Sequence, residues 1–329
     1  MTQPDMATAP GAPPVHGPTP IPNSPDTPNP PNAPADPPTD VIHDIGYRAY
    51  EGPRLGRGYA RLSLFSQSLR GAYGLGRSAR SKVLPMILLG AMCAPALIMV
   101  AVAVFTNMTG LPVEYTRYAV LLQAVITLFV AAQAPQAVSR DLRFKTTPLY
   151  FSRPIERVDY VAAKYAALTA AVFLLTALPL LILYVGALLA KLSFAHQTAG
   201  FAKGLVAVLL LSLLFAGIGL VIAAVTPRRG FGVAAVIVLF VISYGAVSAV
   251  QGVAENQEKY DLIGWLGLFS PITLIDGFQT WFLGATSAFP HESGPPGLFA
   301  GLVYLLVVCA AVAGCFALLM RRYRKVGLS

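Results

Sequence analysis

The residues of this chain that could do chemistry are few, and one stretch gathers a charged island of them between two apolar runs. Residues 139–164 hold six Lys/Arg (Arg140, Arg143, Lys145, Arg153, Arg157, Lys164) together with Asp141, Glu156 and Asp159. Leu142, Phe144, Leu149, Tyr150 and Phe151 are interleaved with those charges. A solvated linker has little reason to carry three aromatics, so the mixture reads as a short amphipathic segment that docks on a partner. Elsewhere the catalytic vocabulary is thin. No Gly-x-x-x-x-Gly-Lys-Ser/Thr stretch is present, so the chain cannot cradle ATP in a P-loop. The four histidines (His16, His43, His196, His291) are scattered over tail and loops, and no His–Glu pair has metalloprotease spacing. Cys93, Cys309 and Cys315 lie inside apolar runs, lack zinc-ligand spacing and read as small apolar packing residues. The expectation is a chain that is not an enzyme and holds no metal.

The elements that must position the charged stretch are apolar. Of the 329 residues, 55% are hydrophobic and 12% charged, against about 25% charged in a soluble domain. Mean hydropathy is +0.62. Six runs are long enough to cross a bilayer, which takes about 20 apolar residues. They are 83–105, 118–138, 165–190, 205–226, 231–250 and 298–320, and none holds Asp, Glu, Lys, Arg or His. Pumps driven by proton or ion flow usually carry such groups inside the bilayer, so a self-powered transporter is disfavoured. The net charge of +9 falls in short loops between apolar runs, which argues against nucleic acid as a partner.

Orientation follows from the placement of Lys and Arg. With the N-terminus in the cytosol and six spans, 20 of the 24 basic residues fall on the cytoplasmic side. Both termini are then cytoplasmic, and so is the 139–164 loop. Residues 1–40 contain 14 prolines and no Lys or Arg, the wrong pattern for a signal peptide. They read as a disordered Pro-rich cytosolic tail. Residues 41–82 carry eight basic residues, with Leu62, Phe65 and Leu69 on one helical face. That pattern predicts an amphipathic interfacial helix, ended by Gly71, Gly74 and Gly76 before the first span.

Between the fifth and sixth spans, residues 251–297 include an apolar run, Leu262–Ile275, too short to cross and interrupted by Pro271. A re-entrant external hairpin is expected, with Trp265 and Trp281 as anchors at headgroup level. Gln123, Thr127, Ser243 and Tyr244 are polar groups within spans; they mark either a substrate path or hydrogen bonding between helices. Small residues around 216–234, among them Gly217, Gly219 and Gly232, are expected to let the fourth and fifth helices approach closely.

The segment Arg140-Asp141-Leu142-Arg143, Pro148-Leu149-Tyr150-Phe151-Ser152-Arg153-Pro154, Asp159-Tyr160 and Lys164 resembles the cytoplasmic loop of ATP-binding-cassette (ABC) transporter permeases of the type 2 exporter family. Ile42–Arg48, Gly52–Arg57 and Leu268–Pro271 resemble actinobacterial members. The likeness covers about residues 41–325 and departs at Lys145-Thr146, where the family commonly has a Gly-Thr turn. It implies an all-α polytopic fold with six transmembrane helices over 83–325, an interfacial helix before the first, and an external hairpin between the fifth and sixth. It implies a coupling loop at 139–164 seated on a separate ABC ATP-binding subunit. Arg140, Asp141, Arg143, Phe144, Leu149, Tyr150, Phe151, Arg153 and Arg157 would make that contact. ATP and magnesium would bind the partner and not this chain. A permease homodimer, contact with membrane lipid and a plasma-membrane location follow in the same way. The implied function is export of a drug-like, lipid or other small substrate. The alternative is a non-transporting anchor or sensor that recruits a cytosolic partner.

Overall fold

A computed structural model describes residues 52, 55–76, 78–106, 108, 110–139, 141, 155–226, 228–292 and 294–326. Ten α-helices are described, and no strand occurs among the described residues. In chain order they are α1 (Arg57–Ala72), α2 (Ala79–Phe105), α3 (Tyr115–Leu121), α4 (Gln123–Ala137) and α5 (Arg157–Leu189). Then come α6 (Phe194–Val225), α7 (Arg229–Asn256), α8 (Tyr260–Leu266), α9 (Pro271–Leu283) and α10 (Gly297–Val326). Helices α2, α5, α6, α7 and α10 are each long and apolar enough to cross a membrane. Helices α3 and α4 make a sixth span if taken together, bent by 62°.

The run 118–138 that reads as the second span breaks at Leu122, where neither Pro nor Gly stands. Tertiary bonds hold α3 at its angle. The Tyr118 hydroxyl donates to the Met92 carbonyl on α2, and the Tyr115 hydroxyl donates to Gln197 Oε1 on α6 at 2.8 Å. Prolines that do lie inside the spans (Pro85, Pro95, Pro135, Pro179) leave their helices continuous, as neighbouring helices in a membrane bundle allow.

Helices α5 and α6 form the centre, joined by only four residues. The helix of the fourth span, expected at 205–226, begins already at Phe194. Around α5 and α6 pack α1, α2, α4 and α10. Gly219 of α6 meets Val130 and Ala134 of α4, and an added Cβ there would stand 2.5 Å from Val130. Close approach at this glycine thus serves α6 against the second span, not against α7. Gly217 likewise faces Tyr165 and Cys315.

Helix α1 lies against α5 and α4. Its buried line runs through Leu64 and Ala72, with Phe65 and Leu69 partly covered. Leu62, the first residue of the 62/65/69 apolar stripe, is 63% exposed, so the bundle covers that stripe only in part. It ends at Ala72, with Gly71 still helical. Gly74 and Gly76 adopt φ of 68° and 79°, the left-handed values that turn the chain into α2. The Tyr73 hydroxyl donates to the Ala171 carbonyl at 2.7 Å and fixes the turn on α5.

At the opposite end, α8, a 3₁₀ turn over Gly267–Phe269, and α9 connect α7 to α10. Pro271 does interrupt the apolar run, but by occupying the first turn of a new helix. Gly284 closes that helix in the left-handed region, φ 60°.

Candidate functional site

Of the predicted docking residues, Asp141 and Arg157 are described; Arg140, Arg143, Phe144, Leu149, Tyr150, Phe151 and Arg153 lie outside the described residues. The Pro-rich segment 1–40 lies outside them too. What the structure gives is the root of the loop on both sides. On the α4 side, the Ser139 hydroxyl donates to the Ala223 carbonyl of α6 at 2.9 Å. Two residues on, Asp141 Oδ2 accepts from the Tyr160 hydroxyl at 2.6 Å and pairs with Lys164 Nζ at 3.0 Å. Both partners lie on α5, so the loop's first residues are tied to the helix that follows it. Tyr160 is fully buried and packs on Tyr323 of α10, ring centroids 5.1 Å apart. Arg322 Nε donates to the Ala224 carbonyl at 3.2 Å, joining α10 to the end of α6. Four helices therefore meet around the Asp141 root.

On the α5 side, the helix begins at Arg157, so residues expected in the loop up to 164 are helical. The spacing Glu156-x-x-Asp159 makes a capping box. The Glu156 side chain takes up a free amide of the first turn, and Asp159 reaches back to the Glu156 N–H at 3.2 Å. Asp159 is 4% exposed and pairs with Arg57 Nε of α1 at 2.5 Å. Arg57 also pairs with Glu156, and Arg61 stands 3.6 Å from Asp159. The two carboxylates raise the Arg57 guanidinium above its ordinary value, Asp159 contributing more. Sequence reasoning missed this clamp because its halves lie about a hundred residues apart. The capping-box spacing was its only local sign. Arg157 is half-buried and borders a cavity of about 400 Å³ with Ile155, Val158, Met320 and Arg324.

The polar residues proposed within spans separate. Thr127 is buried and Gln123 half-buried on α4. The Ser243 hydroxyl donates to the Phe240 carbonyl of its own helix at 3.2 Å. Tyr244 lines a cavity of about 310 Å³ together with Ser248, Gln251 and Glu255. Those four positions, spaced 4, 3 and 4, fall on one face of α7. Only Tyr244 was singled out from sequence, although the spacing was there to be read.

Asp276 of α9 faces the same cavity and is 0% exposed. Its carboxylate accepts from Gln279 Nε2 at 2.8 Å, from the Ala288 N–H at 2.8 Å and from the Ser287 hydroxyl at 3.3 Å. Burial pushes the Asp276 carboxyl above the ordinary range, and the three donors oppose that shift in part. Nearby, Glu114 accepts from Thr286 and holds the loop after α9 to the start of α3. Trp265 is half-buried beside Phe299, and the Trp281 ring lies against Gly301.

Among the described residues no group of three His, Cys, Asp or Glu could hold a metal ion. The three cysteines are unpaired thiols. What the described residues show here is the two ends of a polar loop tied by hydrogen bonds and ion pairs to a bundle of apolar helices.

No curated protein matches this sequence. The family model described as ABC-2 family transporter protein matches residues 99–328, well over half of the chain, and takes in the loop root, α5, α6 and everything after them. The chain therefore belongs to the ABC-2 family of transporter proteins and is the multi-pass permease subunit of an ABC transporter.

Proposed function

We propose that this permease is one half of an exporter in which a separate ATP-binding subunit docks on the 139–164 loop. The observation that carries the reading is the double root of that loop. Asp141 is bonded to Tyr160 and Lys164 on α5, and Ser139 to the end of α6. A displacement applied to the loop would reach the two central helices directly. Arg140, Asp141, Arg143, Phe144, Leu149, Tyr150, Phe151, Arg153 and Arg157 form the docking surface, its charges setting orientation and its aromatics serving as anchors. ATP and magnesium bind on the partner, and two permeases combine with two ATPases.

The basic end of the bundle, where α1 lies, faces the cytoplasm, and both termini with it. Helix α1 rests at the cytoplasmic interface of the plasma membrane. Helices α8 and α9 dip into the membrane from the outside, with Trp265 and Trp281 at headgroup level. The cargo is a small drug-like or lipid amphiphile, supported by the cavity under Tyr244, Ser248 and Gln251, which mixes aromatic and polar groups.

The test is co-purification from membranes with the ATP-binding subunit encoded beside it. The expected result is a stable complex that Phe144→Asp dissociates while the permease still inserts. A well-folded permease that captures no ATPase would return the chain to the role of anchor or sensor.

A further inference from the structure

A second cavity lies where α1, α4 and α5 meet, at the end of the bundle that carries the loop. It measures about 190 Å³. Its walls are three helical faces. Leu64, Gln67, Ser68, Gly71 and Ala72 of α1 recur at helical spacing, as do Gln133, Gln136 and Ala137 of α4 and Lys164, Ala167 and Leu168 of α5. The alanines and Gly71 leave the room. The polar groups give it chemistry: three amides, a hydroxyl, and the Lys164–Asp141 ion pair.

Two of those groups lack a partner. Gln133 is 2% exposed and its amide nitrogen is unbonded; the Ser68 hydroxyl is also buried without a bond. A buried polar group left without its hydrogen bond is destabilising. Here two such groups, from different helices, line the same void, which marks a space shaped for something polar. The volume is below the roughly 300 Å³ at which pockets for drug-sized molecules begin. It suits a headgroup. Among the described lining residues, the charges of Lys164 and Asp141 cancel. A bare anion would face Asp141, and a bare cation would face Lys164. A group carrying both charges meets both.

We propose that this cavity binds the zwitterionic phosphoamine headgroup of a membrane phospholipid. The phosphate lies against Lys164, the Gln133 amide and the Ser68 hydroxyl, and the ammonium lies on the Asp141 side. The acyl chains leave along the apolar flank of α1, where the spans begin. Bound lipid then wedges α1 to the loop root and makes the seating of the loop sensitive to membrane composition.

The proposal does not rest on the transport reading, because the test needs neither ATP nor cargo. The full chain, purified in detergent, is offered phosphatidylethanolamine or phosphatidylglycerol at equal concentration, or inorganic phosphate, and retained ligand is counted by native mass spectrometry. Phosphatidylethanolamine is expected to be retained preferentially. Gln133→Leu, which removes one amide contact, should weaken its retention about fivefold. Ala137→Leu, which fills the void, should abolish the preference. If Gln133→Leu is not monodisperse, Ser68→Ala on the outer helix serves in its place. Equal retention of the two lipids, capture of phosphate alone, or a preference unchanged in every variant overturns the assignment.

Discussion

At Asp276 the cost of burial and the pull of three donors meet in one carboxylate. Burial is the larger influence and raises its value in the folded protein. A group raised in this way contributes its stabilisation fully below its unfolded value. That contribution is lost as pH rises through the folded value. Wild type should therefore lose thermal stability relative to Asp276→Asn as pH climbs above the ordinary carboxylate range; parallel curves would contradict the account. Asp276→Ala strands Gln279 and the Ala288 N–H at any pH and should cost about 2–3 kcal/mol. In sequence Asp276 looked only like the charge that closes an apolar run. Its burial comes from residues 287 and 288 folding back over it, which no local pattern announces. Asp159 differs: Glu156-x-x-Asp159 could be read as a capping box, but its partner Arg57 could not.

Helices were readable where apolar length alone defines them. The long runs of α2, α5, α6, α7 and α10 follow directly from composition, since a bilayer demands such lengths. The seat of α1 on the bundle and the bend in the second span were not readable in the same way. The Leu62, Phe65 and Leu69 stripe predicts an interfacial helix and says nothing of the side that packs on α5, where Leu64 is 5% exposed and Leu62 is 63% exposed. Leu64→Ala should accordingly cost about 2–4 kcal/mol in thermal unfolding. Leu62→Ala should stay within about 0.5 kcal/mol. Equal losses would contradict the seating of α1 on the bundle through Leu64. The α3–α4 break lies further from local rules still, being held by tyrosine hydroxyls reaching to α2 and α6.

Across the whole molecule, the polar contacts concentrate at two ends. At one, α1, the loop root and the end of α10 meet around Asp141, Asp159 and Tyr160. At the other, Asp276 and Glu114 hold α9, the loop after it and the start of α3, and Gln251 of α7 donates to the Ile263 carbonyl of α8. Between them run apolar helices with small residues at their crossings. The proposed orientation starts from the sequence, because Lys and Arg are simply counted. The bonds that tie each end together do not, because they join residues distant in the chain. On the proposed function, a loop root tied in this way passes a displacement on to α5 and α6. The direct measurement is ATP-driven export in proteoliposomes containing the permease and its ATPase, wild type against Asp141→Arg. The variant places a cation against Lys164 and removes the acceptor of Tyr160, severing the root from α5. The account predicts that the variant still inserts into the membrane while export is lost. Export at the wild-type rate would contradict it.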